Sequence, residues 1–254
     1  MEADKELQQI KKRLLELAKR SYSQNIYTFT PFLGLFEQQA YYEICTQLAY
    51  AGCGMEGGSP LCERKMIRFG KEDNLGYVEE YPILCLRIEP LNFRFAEHLS
   101  HRDFLGAIMN LGIERDTVGD IFVQDKEAYL FCQESIAPYL TEHLEQVRRT
   151  KVRCIVSQIP AQLTVPCLET VSLSVASPRI DGVISKLYNL ARSQSQELFA
   201  AGRIFINGRL TQNSSYLLKQ DDGVTVRGYG RFIYKGEQGE TRKGKQRICV
   251  EVYR

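Results

Sequence analysis

Between Arg179 and Arg209 the chain specifies its local structure almost residue by residue. Val183, Leu187 and Leu190 recur at helical spacing. Ser193 to Ala201 spaces a second helix with Leu198 and Phe199 inward, and Gly202 is placed to close it in a left-handed cap. Ile204 and Ile206 alternate as a short strand. Asn207–Gly208 follows, a dipeptide that favours a two-residue hairpin turn because both positions accept positive φ. A further strand is expected around Leu217 to Lys219 and another over Val224–Val226. The segment therefore predicts two short helices packed on a small sheet.

That arrangement gathers cations. Arg179, Lys186, Arg192, Arg203 and Arg209 are expected near one edge. Ser193 and Gln194 open the second helix, whose free N–H groups and positive dipole end suit a phosphate. The guanidinium fork matches a phosphate bidentately. Just beyond lies Arg227–Gly228–Tyr229–Gly230–Arg231–Phe232, where Gly allows close backbone approach. Tyr229 is placed to stack on a base while Arg227 and Arg231 hold phosphate; the other reading is a twisted edge strand with solvent-facing arginines. With Asn207 at the hairpin tip, these eleven residues form the candidate RNA-binding set. None forms a nucleophile–base pair, so the constellation binds rather than reacts.

Charge supports a polyanionic partner for this end. The 254 residues carry a net charge of +2, but residues 179–254 hold 14 Lys and Arg against 7 Asp and Glu, while residues 1–178 hold 19 against 24. A basic end on an acidic body is an electrostatic address for nucleic acid. No apolar run approaches the ~18 residues of a membrane span. The charged start has no apolar leader, so a cytoplasmic location without membrane contact is expected. The eight cysteines are scattered without a C-x-x-C pair, and the three histidines do not complete a ligand cluster. They are read as small buried hydrophobes in a reducing compartment, with no metal.

Upstream, Asp4 to Tyr22 reads as an amphipathic helix with a Lys/Arg-rich outer face that is either solvated or phosphate-facing. A second helix is expected from about Phe36 to Ala51, with Pro31 near its start. Gly52 to Pro60 reads as a turn. From Tyr81 the pattern becomes Ile83–Ile88 strand, His101–Leu111 helix, Asp120–Gln124 and Ala128–Gln133 strands, Ser135–Arg148 helix capped by Ser135, then Val152–Val156 and Thr170–Ala176 strands. The order β-α-β-β-α-β is that of a split-βαβ, ferredoxin-like domain. Its open sheet is a platform many RNA-binding domains use. Phe122, Tyr129 and Phe131 are candidates for that platform or for the core. Arg102 and Arg115 are read as structural or as RNA contacts. Gly236 to Gly239 reads as a loop and Arg247–Tyr253 as a final strand. The expected class is α+β in three parts: a mainly helical domain over 1–76, a ferredoxin-like domain over 77–177, and the basic module over 178–254.

The C-terminal segment resembles the S-four, or αL-type, RNA-binding module. The match runs through Arg179–Ile180–Asp181, Ala191–Arg192–Ser193, Gly202, Ile206–Asn207–Gly208 and Asp221–Asp222–Gly223. It departs at Ile180, Ala191 and the Asp-Asp-Gly turn. The Arg227–Phe232 stretch further resembles the hallmark of the bacterial YlmH family. So do His101–Ala107, Leu111–Arg115, Val118–Ile121, and Gly57–Gly58 followed by Glu63–Arg64–Lys65. The resemblance covers nearly the whole chain. It implies a non-enzymatic, cofactor-free factor, expected to act as a monomer. Its expected partners are ribosomal RNA of the large subunit and peptidyl-tRNA, in ribosome-associated quality control of stalled nascent chains. The alternatives are an RNA-modifying enzyme accessory and a cell-division scaffold. Residues 1–178 show neither a Rossmann glycine loop nor a synthase-type domain.

Overall fold

A computed structural model describes residues 2–240 and 244–253, the side chains of residues 2–4 excepted. The class is α+β, and the chain divides into two compact units, Met1–Val165 and Pro166–Arg254.

The first unit opens with helix α1 (Glu2–Gln24), strand β1 (Thr28–Phe29) and helix α2 (Gln38–Leu48). Leu14, Leu17 and Ala18 form the apolar stripe of α1 and pack with Ala40, Ile44 and Leu48 of α2, as helical periodicity requires. Lys12, Arg13, Lys19 and Arg20 stay exposed. Pro31 does not start a helix. It sits in an extended segment whose neighbours are already bonded, Thr30 N–H to the Ile67 carbonyl and Phe32 N–H to that of Asp116. The expected turn over 52–60 is half strand: β2 (Cys53–Glu56) pairs with β3 (Met66–Phe69), which also pairs with β1. The short helix α3 (Glu72–Leu75) follows.

Next come β4 (Ile83–Pro90), α4 (His101–Met109), β5 (Val118–Gln124), β6 (Glu127–Gln133), α5 (Ala137–His143), β7 (Gln146–Val147) and β8 (Thr150–Ser157). The sheet order is β5-β6-β4-β8-β7 and each pairing is antiparallel. Both helices cover one face, where Leu86, Ile88, Leu130 and Val152 meet Phe104, Ile108 and Leu140. His101–Arg102–Asp103 starts α4: the Asp103 carboxylate accepts both the N–H and the hydroxyl of Ser100, at 2.8 and 2.7 Å, a capping arrangement. Those bonds hold the Asp103 carboxyl below the usual range. α5 starts at Ala137 rather than at a Ser135 cap, because Glu134–Ile136 is a tighter 3₁₀ turn and Pro138 stands at the first helical turn, where its missing N–H costs nothing.

The opposite face of this sheet is covered around Cys85, Tyr129 and Phe131, while Lys151, Arg153 and Ile155 of β8 stay exposed. Tyr129 and Phe131 are 5% and 3% exposed and pack with Cys85, Phe32, Cys62 and Met66. Arg64 ties the same region, donating to the carbonyls of Val118, Phe32 and Arg115 at 3.0, 2.9 and 3.3 Å. Its N–H bonds the Asp120 carboxylate at 2.8 Å. Farther along that face Arg87 bridges Glu89 and Glu127 at 2.8 and 2.7 Å, and Arg153 pairs with Glu89.

The second unit contains β9 (Leu168–Val175), α6 (Ile180–Leu187), α7 (Arg192–Ala200), β10 (Ile204–Ile206), β11 (Arg209–Leu210), β12 (Gly223–Val226), β13 (Gly230–Glu240) and β14 (Gln246–Tyr253). The sheet order is β11-β10-β12-β13-β14-β9. β9, expected as the last strand of the middle domain, pairs instead with β14 from Leu168↔Tyr253 to Val175↔Gln246. The place beside β4 is already taken by β8, and Leu173 and Val175 join the core of Ile248, Val250 and Val252 under α6 and α7. The strand expected near Leu217 is a loop, held by one bridge from Leu217 to Arg179. There Asp222 takes the Lys219 N–H and the Tyr216 hydroxyl, at 2.8 and 3.1 Å, so side-chain acceptors compete with a ladder. Gly236 to Gly239 lies within β13 and absorbs two register shifts against β14, as β-bulges do.

Candidate nucleic-acid interface

The candidate residues fall into three settings within the second unit. At the helical edge, Arg179, Lys186 and Arg192 line a groove of about 320 Å³ with Ser174, Ser177 and Asn189. Arg179 is committed to the fold, since its guanidinium grips the Asp181 carboxylate at 3.1 and 2.9 Å. Burial raises the Asp181 pKa, but the Arg179 bonds and the Gly182 N–H outweigh it, leaving the carboxyl below its usual range. Lys186 and Arg192 are exposed and form no ion pair among the described residues. Ser193 is exposed in the first turn of α7. Gln194 is spent as a cap, its carbonyl oxygen accepting the Ala191 N–H at 2.9 Å.

The second setting is the hairpin. Asn207 and Gly208 both have positive φ, 51° and 80°, as the two-residue turn demands. The Asn207 side chain is engaged inside the fold: its amide donates to Asp222 at 2.9 Å and its oxygen accepts the Gly223 N–H at 2.8 Å. Arg209 is exposed on the edge strand β11.

The third setting is the sheet face away from α6 and α7. In β12 and β13 the residues alternating with buried Val224, Val226 and Phe232 point there. Arg227 lies over the Phe205 ring at 5.5 Å and Arg231 over the Tyr253 ring at 4.7 Å. Arg203 adjoins Arg227, whose N–H bonds the Arg203 carbonyl at 2.9 Å. Tyr229 leaves this group. It is 45% exposed, in the turn closed by its N–H to the Val226 carbonyl, and its ring lies 5.5 Å from that of Tyr188 at the end of α6. Gly228 and Gly230, with φ of 90° and 138°, supply the backbone that separates the arginines from the tyrosine; a side chain would strain both. The Arg-Gly-Tyr-Gly-Arg run is thus a hairpin tip with cations on the sheet face and an aromatic toward the helical side.

In the first unit, of the two readings of the sheet-face aromatics, platform or core, the structure has core: Tyr129 and Phe131 are buried and Phe122 is half-buried beside Phe131. Arg115 donates to the Val118 carbonyl at 2.6 Å, a structural role. Arg102 is exposed and lines a groove of about 550 Å³ with Arg148 and His143. Arg64 and Asp120 were not picked out from sequence as a linked pair; 56 residues separate them and no local pattern joins them. The buried thiols are inert: burial pushes Cys85 up to about 11 and Cys132 and Cys154 to about 12.

Residues 78–161 match the family model described as "Putative RNA-binding domain in YlmH". The chain is 26% identical over 219 residues to ribosome-associated protein quality control protein P2 of Bacillus subtilis (strain 168), spanning 84% of this chain and 83% of that protein. The chain is thus similar to proteins of the YlmH family. A solved structure, cell division protein ylmH from Streptococcus pneumoniae, is similar at a TM-score of 0.47 and 20% identity, over 59% of this chain and 90% of that one. The stretch matched to the YlmH model is the β4–β8 sheet with α4 and α5, so the named domain and the basic C-terminal unit are separate parts of the chain. No described helix is long and apolar enough to cross a membrane.

Proposed function

We propose that this chain is a YlmH-family, non-catalytic RNA-binding factor that associates with the large ribosomal subunit, on ribosomal RNA and peptidyl-tRNA, in quality control of stalled nascent chains. Its setting is the cytoplasm and it acts as a monomer. The observation that carries the reading is the set of exposed cations in the second unit that form no ion pair among the described residues, Lys186, Arg192 and Arg203, together with the arginines stacked on the sheet face. Stacked arginines keep their outward N–H groups for phosphate. The name of the Bacillus relative supports the ribosomal partner. The three-part organisation goes with this proposal: helical 1–76, ferredoxin-like from 77, and an S-four module expected from 178, to which β9 is added. The β5-β6-β4-β8 order with two helices on one face supports the ferredoxin-like assignment. The α6–α7 pair and the Asn207–Gly208 hairpin support the S-four assignment.

The test is co-sedimentation of the full chain with purified large subunits across a salt series. Affinity is expected to fall with a logarithmic slope of roughly 0.7–0.9 per neutralised phosphate. The triple variant Arg192→Ala, Arg203→Ala, Arg231→Ala is expected to remain folded, to bind more weakly and to lose about two to three units of slope. Wild-type protein that shows no salt-sensitive binding to subunits or structured RNA ends the proposal.

A further inference from the structure

Between β4 and α4 the chain turns outward, and Leu91, Phe93 and Phe95 are 61%, 47% and 78% exposed. Single exposed apolar side chains are ordinary, whereas a run of three marks a contact surface. The loop that carries them is not slack. Leu91 N–H bonds the Lys151 carbonyl at 3.0 Å, the Lys126 ammonium donates to the Phe93 carbonyl at 2.9 Å, and Glu97 N–H bonds the Thr150 hydroxyl at 3.2 Å. The backbone is pinned while the rings project.

Cations are interleaved with these rings. The Arg94 guanidinium lies 5.8 Å over the Phe95 ring, and neither Arg94 nor Lys126 forms an ion pair among the described residues. The nearby acids are Asp125, exposed at the same turn as Lys126, and Glu97, whose carboxylate accepts the Arg149 N–H at 3.3 Å. An aromatic surface built for a protein core contact has no need of flanking free cations; one for unstacked nucleotides needs both. The sheet face that such domains use for stacking is filled here by Phe32, Cys62 and Met66, and its arginines are held by Glu89 and Glu127.

We propose that Phe93 and Phe95 stack on unpaired bases of the bound RNA while Arg94 and Lys126 meet the flanking phosphates. The loop thereby replaces the covered aromatic part of the sheet face as the base-reading surface of residues 78–161. This rests on the reading of the chain as an RNA-binding factor and assigns the contact surface of its first unit.

The experiment compares full-length wild type with Phe93→Leu/Phe95→Leu and Phe93→Trp/Phe95→Trp double variants, using purified large subunits as probe. Binding is measured by sedimentation over a salt series, and RNA-linked peptides are mapped after ultraviolet crosslinking. Stacking predicts about 10- to 100-fold weaker binding for the leucine pair with an unchanged salt slope, near-normal binding for the tryptophan pair, and a crosslinked peptide spanning Leu91–Glu97. The side chains are exposed, so thermal melting should not move. Wild-type affinity in the leucine pair overturns the inference and leaves RNA binding by the second unit intact; the patch would then serve a protein partner or none. Wild-type protein that ignores the subunits altogether removes this inference and the proposed function together.

Discussion

The two large sheets are built alike and used oppositely. Each carries two helices on one face. In the first unit the aromatic part of the remaining face is covered, with Phe32, Cys62 and Met66 packed against Tyr129 and Phe131. In the second it displays Arg227 over Phe205 and Arg231 over Tyr253. An aromatic on a sheet face is therefore not by itself a nucleic-acid signal. What separates the two is the company it keeps: apolar side chains from a distant segment in one, guanidinium groups in the other. The first arrangement stores stability, and the second keeps polar groups available to a ligand.

Phe131→Ala puts this contrast under the most strain. If the face is core, the loss is about 3–5 kcal/mol of stability, seen as a lower denaturant midpoint for the first unit, with RNA affinity unchanged under conditions where the variant is folded. If the face were a binding platform, affinity would fall and stability would hold. The reciprocal change is Arg227→Ala with Arg231→Ala. Cation–π contacts at exposed sites contribute roughly 0.5–1 kcal/mol each, so the melting point should move little. Subunit affinity should drop about 10-fold or more, and the salt slope should flatten by about 1.4–1.8 if both arginines neutralise phosphates. Equal losses of stability in the two variants would erase the distinction between the sheets.

How much of this was legible from sequence follows the same divide between local and distant determinants. Though the short strand β7, which takes the end of the helix expected to Arg148, was missed, the α6–α7 pair, the Asn207–Gly208 turn and the order β4-α4-β5-β6-α5-β8 were readable, because caps, periodicity and turn dipeptides act within a few residues. The partner of β9 was not. Alternation in Leu173 and Val175 says that one face is buried but not against which strand, and β14 lies about 80 residues away in sequence. Phe122, Tyr129 and Phe131 were correctly grouped on one sheet face, yet what covers that face comes from Phe32 and Met66 in another part of the chain. Among the candidate RNA contacts, Asn207, Gln194 and Arg179 proved to have partners inside the fold. Residue type and position promised availability, and only geometry shows whether a hydrogen-bonding group is already used.

The mildest test contrasts two carboxylates. Asp120, in the first unit, is half-buried, and desolvation raises its pKa despite the Arg64 and Glu63 N–H groups and the Arg64 and Arg115 charges. Asp181, in the second, is buried, but the Arg179 bonds and the Gly182 N–H lower its pKa overall. The signs oppose. A depressed carboxylate contributes stability above its unfolded value near 3.9, and that contribution is lost as pH falls through the folded value. A raised carboxylate burdens folding while ionised, and the burden is relieved as pH falls through its folded value toward 3.9. Acidification from neutrality should therefore first ease the Asp120 cost in the first unit and only later remove the Asp181 contribution in the second. A tenfold change in proton affinity on folding corresponds to about 1.4 kcal/mol, which sets the scale. Amide exchange resolved by unit between pH 3 and 6 should show both slopes, with Asp120→Asn abolishing the first and Asp181→Asn the second. Identical slopes in the two units would mean that Arg64 compensates Asp120 as fully as Arg179 compensates Asp181, and that the two acids differ only in where they lie.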